Sequence, residues 1–441
     1  MRILGGHLVT PQGVLQAGVA VEDGVIVEIA AELSLGADGV EIDARGMEVL
    51  PGLIDVHVHF NEPGRADWEG AATGSRALAA GGGTLFFDMP LNSSPCTVDG
   101  ESFDAKRGAL ERASVTDFAL WGGLIPGNRD AMAELAERGV IGFKAFMADS
   151  GLPEFPRSDD TTLLEGMREA ARLGLPVAVH AEDDEIVGSL AAQARAAGKT
   201  GIRDYLDSRP VQAEVEAIER ACRMAEETGA KLHIVHISSG RGAAAAAKAR
   251  ARGVDVSLET CPHYLHFTEE DMLRLGAVAK CAPPLRSSVD RDELWAAVNR
   301  SDIDIVGSDH SPAPPGMKQD ADFFRIWGGI AGVGSTLAIL LGKVANERVA
   351  AMTAANPARR FGIARKGALA VGYDADFTIV DRSARHTVRH EDLFQRHRFS
   401  PYIGETFDVV VRRTILRGRT IFADGKPVDA PRGRLVRPQG T

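Results

Sequence analysis

Leu53-Ile54-Asp55-Val56-His57-Val58-His59 (LIDVHVH) is the stretch on which the fold reading turns. It is a short apolar run of β-forming residues that ends in polar side chains, and seven comparable runs follow it. They are Thr84–Met89 (TLFFDM), Asp117–Trp121 (DFALW), Val140–Met147 (VIGFKAFM), Pro176–His180 (PVAVH), Lys231–His236 (KLHIVH), Val254–Thr260 (VDVSLET) and Ile303–Asp309 (IDIVGSD). Helix-compatible Ala/Glu/Arg/Leu segments separate them. Continuous apolar strands alternating with helices predict a buried parallel sheet. Eight such units suit an α/β fold of the (β/α)8 TIM-barrel type, with an open doubly wound sheet as the structural alternative. Pro283-Pro284 and Pro312–Gly316 read as loops after the seventh and eighth strands, on the functional face of such a barrel.

Outside this core the pattern changes. The first fifty residues alternate short β-like runs with Gly-containing turns, as in Val19–Val21, Glu22-Asp23-Gly24 and Val25–Ile29. Near the other end, Ala375–Asp381 (ADFTIVD) and Val409–Leu416 (VVVRRTIL) are β-rich and Asp424-Gly425 marks a turn. Residues 1–50 and 366–441 are therefore expected to pair into one small, split β domain, a β-sandwich, around a catalytic barrel of residues 51–365.

Composition narrows the function classes. The 441 residues are 44% hydrophobic and 25% charged, ordinary values for a globular protein. Lys+Arg 50 against Asp+Glu 61 leaves a net charge of −11, which disfavours a phosphate backbone as partner, so no nucleic acid is expected. No apolar stretch is long enough for a membrane span, and MRILGGHLVTPQG lacks the apolar core of a signal peptide. Cys96, Cys222, Cys261 and Cys281 form no C-x-x-C pair. They are read as packing residues in a reducing, cytoplasmic protein.

The chemistry lies in placement. His57 and His59 close the first strand, Lys144 lies in the fourth, His180 and His236 end the fifth and sixth, and Asp309 ends the eighth. In a barrel these side chains converge at the C-terminal rim. The period of two puts both imidazoles of His57-x-His59 on one side of the strand. A single strand-end histidine is by itself an ordinary hydrogen-bonded core residue. Four of them on the same ends of three strands, with an aspartate on a fourth, point to a divalent metal. Asp309 can ligate metal while accepting a proton from water. His233, an odd number of residues from His236, is expected to face away and to pack. Lys144 is expensive to bury as a bare ammonium. Either it pairs with a carboxylate, or CO2 converts it to a carbamate with two oxygens able to bridge two metals.

At this point the sequence resembles a known family. His57-Val58-His59-Phe60-Asn61-Glu62-Pro63-Gly64, Gly142-Phe143-Lys144, the strand-end His180 and His236, and Ser308-Asp309-His310-Ser311-Pro312 resemble the cyclic amidohydrolases. That group comprises dihydroorotases, hydantoinases (dihydropyrimidinases) and allantoinases. Phe60–Gly70 (FNEPGRADWEG), Met89–Thr97 (MPLNSSPCT) and Trp327–Gly334 (WGGIAGVG) liken the chain most to the allantoinase branch. Dihydroorotases carry an arginine where Asn61 stands, and hydantoinases a tyrosine where Asp149 stands.

The resemblance implies a hydrolase that opens the five-membered ring of allantoin to allantoate. It implies His57, His59, carboxylated Lys144 (N6-carboxylysine) and Asp309 as ligands of one metal, and carboxylated Lys144, His180 and His236 as ligands of a second. A hydroxide bridging the two ions would attack the ring carbonyl, with Asp309 as general base and then acid. Zn2+ is the first expectation for the metal, with Mn2+, Co2+ or Fe2+ equally compatible with the ligands. Asn61 and Asn92 are candidates for substrate binding through the ureido group. A homotetramer is implied as well. The rival readings are a hydantoinase, a dihydroorotase, or a scaffold relative that has lost catalysis.

Overall fold

The computed structural model describes residues 1–33, 39–427 and 433–439. The eight apolar runs form eight parallel strands. They are β1 (Leu53–Val58), β2 (Gly83–Asp88), β3 (Asp117–Leu120, continued by Gly122–Gly123), β4 (Phe143–Phe146), β5 (Val177–His180), β6 (Leu232–Ile234), β7 (Val256–Thr260) and β8 (Ile305–Val306). Each pairs with the next, β3 reaching β2 through Asp117–Leu120 and β4 through Gly122–Gly123. A parallel bridge between Val58 and His310, with the His59 N–H donating to the His310 carbonyl at 2.8 Å, closes the ring. Closure removes the open-sheet alternative. The strands are apolar throughout because helices cover their outer faces, including Ala71–Ala80, Asp160–Leu173, Val211–Thr228 and Gly240–Ala251.

The two ends of the chain share one sheet. Strands from residues 2–51 join Phe377–Asp381, Val410–Leu416, Arg419–Ala423 and Lys426–Pro427 in nine strands, the junction being Glu48–Pro51 antiparallel to Phe377–Val380. Arg2–Thr10 carries a bulge between Ile3 and Gly6. Its first residues pair with Glu41–Asp43, and His7–Leu8 pair with Glu48–Val49, so the sheet folds over into a sandwich. Ile3, Leu8, Val19, Ile26, Val49, Phe377, Ile379 and Ile415 fill it.

Three features tie the sandwich to the barrel. Lys366 Nζ lies 2.9 Å from Asp117 at the start of β3, 2.6 Å from Asp376 and 3.3 Å from Asp374. Residues 383–409 leave the sheet and cross to the barrel, where the Arg396 N–H donates to Glu69 Oε1 at 3.0 Å and Ser400 Oγ to the Ala331 carbonyl at 2.5 Å. Residues 433–436 run along β3, with a bridge from Leu435 to Phe118. All four cysteines are buried and unpaired. No helix among the described residues is long and apolar enough to cross a membrane.

Candidate metal centre and active site

The strands end where the donors begin. His57 is the penultimate residue of β1, Lys144 lies within β4, His180 closes β5, and His236 and Asp309 lie just past β6 and β8. The backbone is tightly turned here. His236 has φ 39°, Asp309 46°, Asn61 64° and Asn92 69°, left-handed values that non-glycine residues keep only when the surroundings hold them.

His57, His59 and Asp309 come together. Asp309 Oδ1 lies 3.2 Å from His57 Nε2 and 3.4 Å from His59 Nε2, and the donor atoms of all three lie within 4.8 Å of one another. A second pair stands beside them, with His180 Nδ1 3.0 Å from His236 Nε2. The His57 and His236 rings, 5.4 Å apart between centroids, join the two groups. Lys144 lies alongside. Its Nζ is 4.9 Å from the Phe146 ring, and that ring stacks on His180 at 4.6 Å.

Burial sets the electrostatics. Lys144 is fully buried and its Nζ has no hydrogen-bond partner among the described residues. Desolvation lowers its pKa to about 8, against the pull of Glu259 and Asp309. Burial also lowers His59 and His180, and lowers His236 strongly, the charges of His180, Lys144 and His57 adding to the effect on His236. For Asp309, burial pushes upward, but His57 and His59 outweigh it and hold the carboxyl well below its usual range. The result is that His59, His180 and His236 stand as neutral imidazoles beside an ionised carboxylate. With the clustered His57, His59 and Asp309 donors and the stranded Lys144 amine, this set fits a divalent metal.

Asn61 and Asn92 turn towards the loop after Asp309. Asn61 Nδ2 donates to the Pro312 carbonyl at 3.3 Å and Asn92 Nδ2 to Ser311 Oγ at 3.4 Å, while Asn61 Oδ1 stays unpartnered. His310 points elsewhere, its Nδ1 accepting from the Gly332 and Val333 N–H groups at 3.1 and 3.3 Å.

Two glutamates that sequence reading passes over support the histidines. Glu259 in β7 meets His57 Nδ1 through Oε1 and His233 Nε2 through Oε2, both at 2.8 Å. Glu182 Oε2 meets His180 Nε2 at 2.8 Å and Arg209 Nη1 at 2.5 Å. The signal for Glu259 was its place inside an apolar strand, where a carboxylate needs a partner. His233 therefore does more than pack. β6 stops at Ile234, so the alternation that separates His233 from His236 does not run through to His236, and both residues bond to Glu259.

A closed α/β barrel with imidazole and carboxylate donors gathered on its C-terminal rim defines a class, the barrels that bind metal on strand-end side chains. Residues 49–421 match the Amidohydrolase family, and the chain belongs to that family. A divalent metal centre goes with that membership, and the His57–His59–Asp309 cluster has the donors for one. The chain is similar to an allantoinase of Solibacter usitatus, 62% identical over 99% of this chain and 96% of that one. An allantoinase of Rubrobacter xylanophilus is 56% identical over 99% and 97%. Among solved structures, the L-hydantoinase (dihydropyrimidinase) of Arthrobacter aurescens superposes with a TM-score of 0.96 at 32% identity, covering 99% of both chains.

Proposed function

We propose that this protein hydrolyses the hydantoin ring of allantoin to allantoate. The observation that carries the reading is the Lys144 amine, sealed from water and unpartnered beside both histidine groups. As N6-carboxylysine, formed with CO2, it would be an anionic ligand common to two ions. His57, His59 and Asp309 would hold the first, and His180 and His236 the second. The bound ions, zinc or else manganese, cobalt or iron, would supply Lewis acidity and acidify water near neutral pH.

The rest is the work of side chains. Asp309, kept ionised by its histidines, accepts the proton of the attacking water and passes it to the ring nitrogen as the amide bond breaks. Among the described residues Asn61 Oδ1 is buried and unpartnered, free to accept an N–H of the ureido group, and Asn92, in the loop after β2, turns towards the same Ser311–Pro312 segment. Asn61 gives no bidentate cationic grip on a carboxylate such as that of dihydroorotate. Asp149, where hydantoinases carry a tyrosine, is exposed. The division into 1–50 with 366–441 and 51–365, a homotetrameric assembly and a cytoplasmic setting belong to the same reading.

The test is a side-by-side assay of allantoin, dihydroorotate and 5-phenylhydantoin on metal-reconstituted protein. Allantoin is expected to turn over fastest. Dihydroorotate or the hydantoin in first place overturns the proposal.

A further inference from the structure

Lys106 and Lys366 are buried against aspartates. Lys280 and Lys318 are buried as well, yet among the described residues neither amine pairs with a carboxylate. Each is held by backbone instead. Lys280 Nζ donates to the carbonyls of Phe323 at 2.7 Å, Phe324 at 3.1 Å and Ile326, and it sits over the Tyr205 ring at 4.6 Å. Lys318 Nζ donates to the carbonyls of Ala277 at 3.2 Å, Trp327 at 2.9 Å and Gly329 at 2.7 Å. Three acceptors match the three N–H donors of an ammonium, and a neutral amine would leave one carbonyl of each set bare. Burial pushes both amines down to about 7, with Arg209 and Lys318 adding to the effect on Lys280. A charge in such a place is costly, and packing alone does not call for it, since a methionine would fill the same space.

The acceptors fall on one segment. Five carbonyls of Phe323–Gly329 go to these two amines. Apart from the short 3-10 turn Phe323–Arg325 the segment has no regular structure, so the ammoniums stand where helix or sheet bonds would. Lys280 also holds it through its own carbonyl, which accepts from the Gly329 N–H at 2.8 Å. The segment runs straight into Ile330, whose carbonyl accepts from the Ser311 N–H at 3.0 Å. Contact with Ser311 is close, for a Cβ on Gly329 would collide with the Ser311 carbonyl. Ser311 and Pro312 are the residues towards which Asn92 and Asn61 turn. On the other side, Trp327 meets Trp68 from the loop after β1, with ring centroids 4.9 Å apart.

We propose that Lys280 and Lys318 are positioning residues for substrate binding, whose ammoniums clamp Phe323–Gly329 against Ser311–Pro312 and so fix the wall that receives the ring. This rests on the allantoin reading above and leaves the metal ligands untouched.

The experiment assays full-length, metal-reconstituted protein with allantoin. Lys318→Met and Lys280→Met should each raise KM roughly 10- to 100-fold, since a wall displaced by about 1 Å costs that much. Turnover number and metal per folded chain should stay close to wild type. A lowered kcat at unchanged KM, or a wild-type KM in the folded fraction of both variants, overturns the clamp. Lys318→Ala with n-propylammonium in the buffer, the piece that the substitution removes, should recover most of the lost affinity, and n-propanol should not. Equal recovery with the two overturns the part played by the charge. Hydrogen exchange on wild-type holoprotein needs no variant to fold. Slow exchange of the amides of residues 323–329, slower still with the ring-opened product bound, is expected, and exchange at the speed of an unprotected loop overturns the clamp. Wild-type protein that opens dihydroorotate or 5-phenylhydantoin faster than allantoin defeats the allantoin reading instead, and the clamp is then scored on that ring.

Discussion

A lysine amine stranded in a dry strand is costly, and no described residue offers Lys144 a carboxylate within hydrogen-bonding reach. Lysines elsewhere in the chain show what an ordinary solution looks like. Lys106, equally buried, lies 3.0 Å from Asp88 and donates to the Met89 carbonyl. The proposed conversion of Lys144 to a carbamate would remove the stranded cation and create an anion where the histidines converge. Lys144→Ala is accordingly expected to purify with far less metal and to lose turnover at least roughly 100-fold, the upper end of what losing even an indirect metal support costs. Elemental analysis and the allantoin assay check this together. Full metal occupancy with wild-type turnover would remove the bridge.

At the scale of strands, legibility in the sequence follows from which forces are local. The eight barrel strands can be read because a strand buried on both faces is apolar along its length, and the barrel core consists of such strands. The donors at their ends can be read because a polar residue closing such a run stands out. Glu259 and Glu182 are harder to see. Their meaning depends on His57, 202 residues away from Glu259, and on Arg209, and no local pattern encodes that. Residues 383–409 are hidden for another reason, since they reach Glu69 and Ala331 through a few hydrogen bonds on irregular backbone. The sandwich strands make a prediction of their own. Ser383 and Arg412 hold the Asp381 carboxyl at about 2, below the ~3.9 of an unfolded chain. A lowered carboxyl stabilises the fold above the unfolded value, and that contribution is lost as pH falls through the folded one. Asp381→Asn should thus cost about 1 kcal/mol or less at pH 7, and the difference should vanish between about pH 4 and pH 2. Denaturant titrations across that range test it, and a gap that persists at pH 2 would contradict the assignment.

Over the whole molecule, the join between sandwich and barrel rests on buried charge. Lys366 gathers Asp117, Asp374 and Asp376, which keep its ammonium above the usual lysine range against the opposing effect of burial. Removing one member of a buried ionic cluster leaves the others uncompensated. Lys366→Met should lower stability by about 3–5 kcal/mol while leaving metal content per folded chain unchanged. Equilibrium unfolding and metal analysis measure the two halves of that statement, and depleted metal in the folded fraction would show that the join also shapes the centre. The same architecture bears on how the chain is born. Glu48–Pro51 pairs with Phe377–Val380, so the early strands, though paired with one another, keep an edge open for a partner made more than 300 residues later. Their unpaired edges must stay soluble through the synthesis of the whole barrel, which makes a stalled or truncated translation product an open template for aggregation.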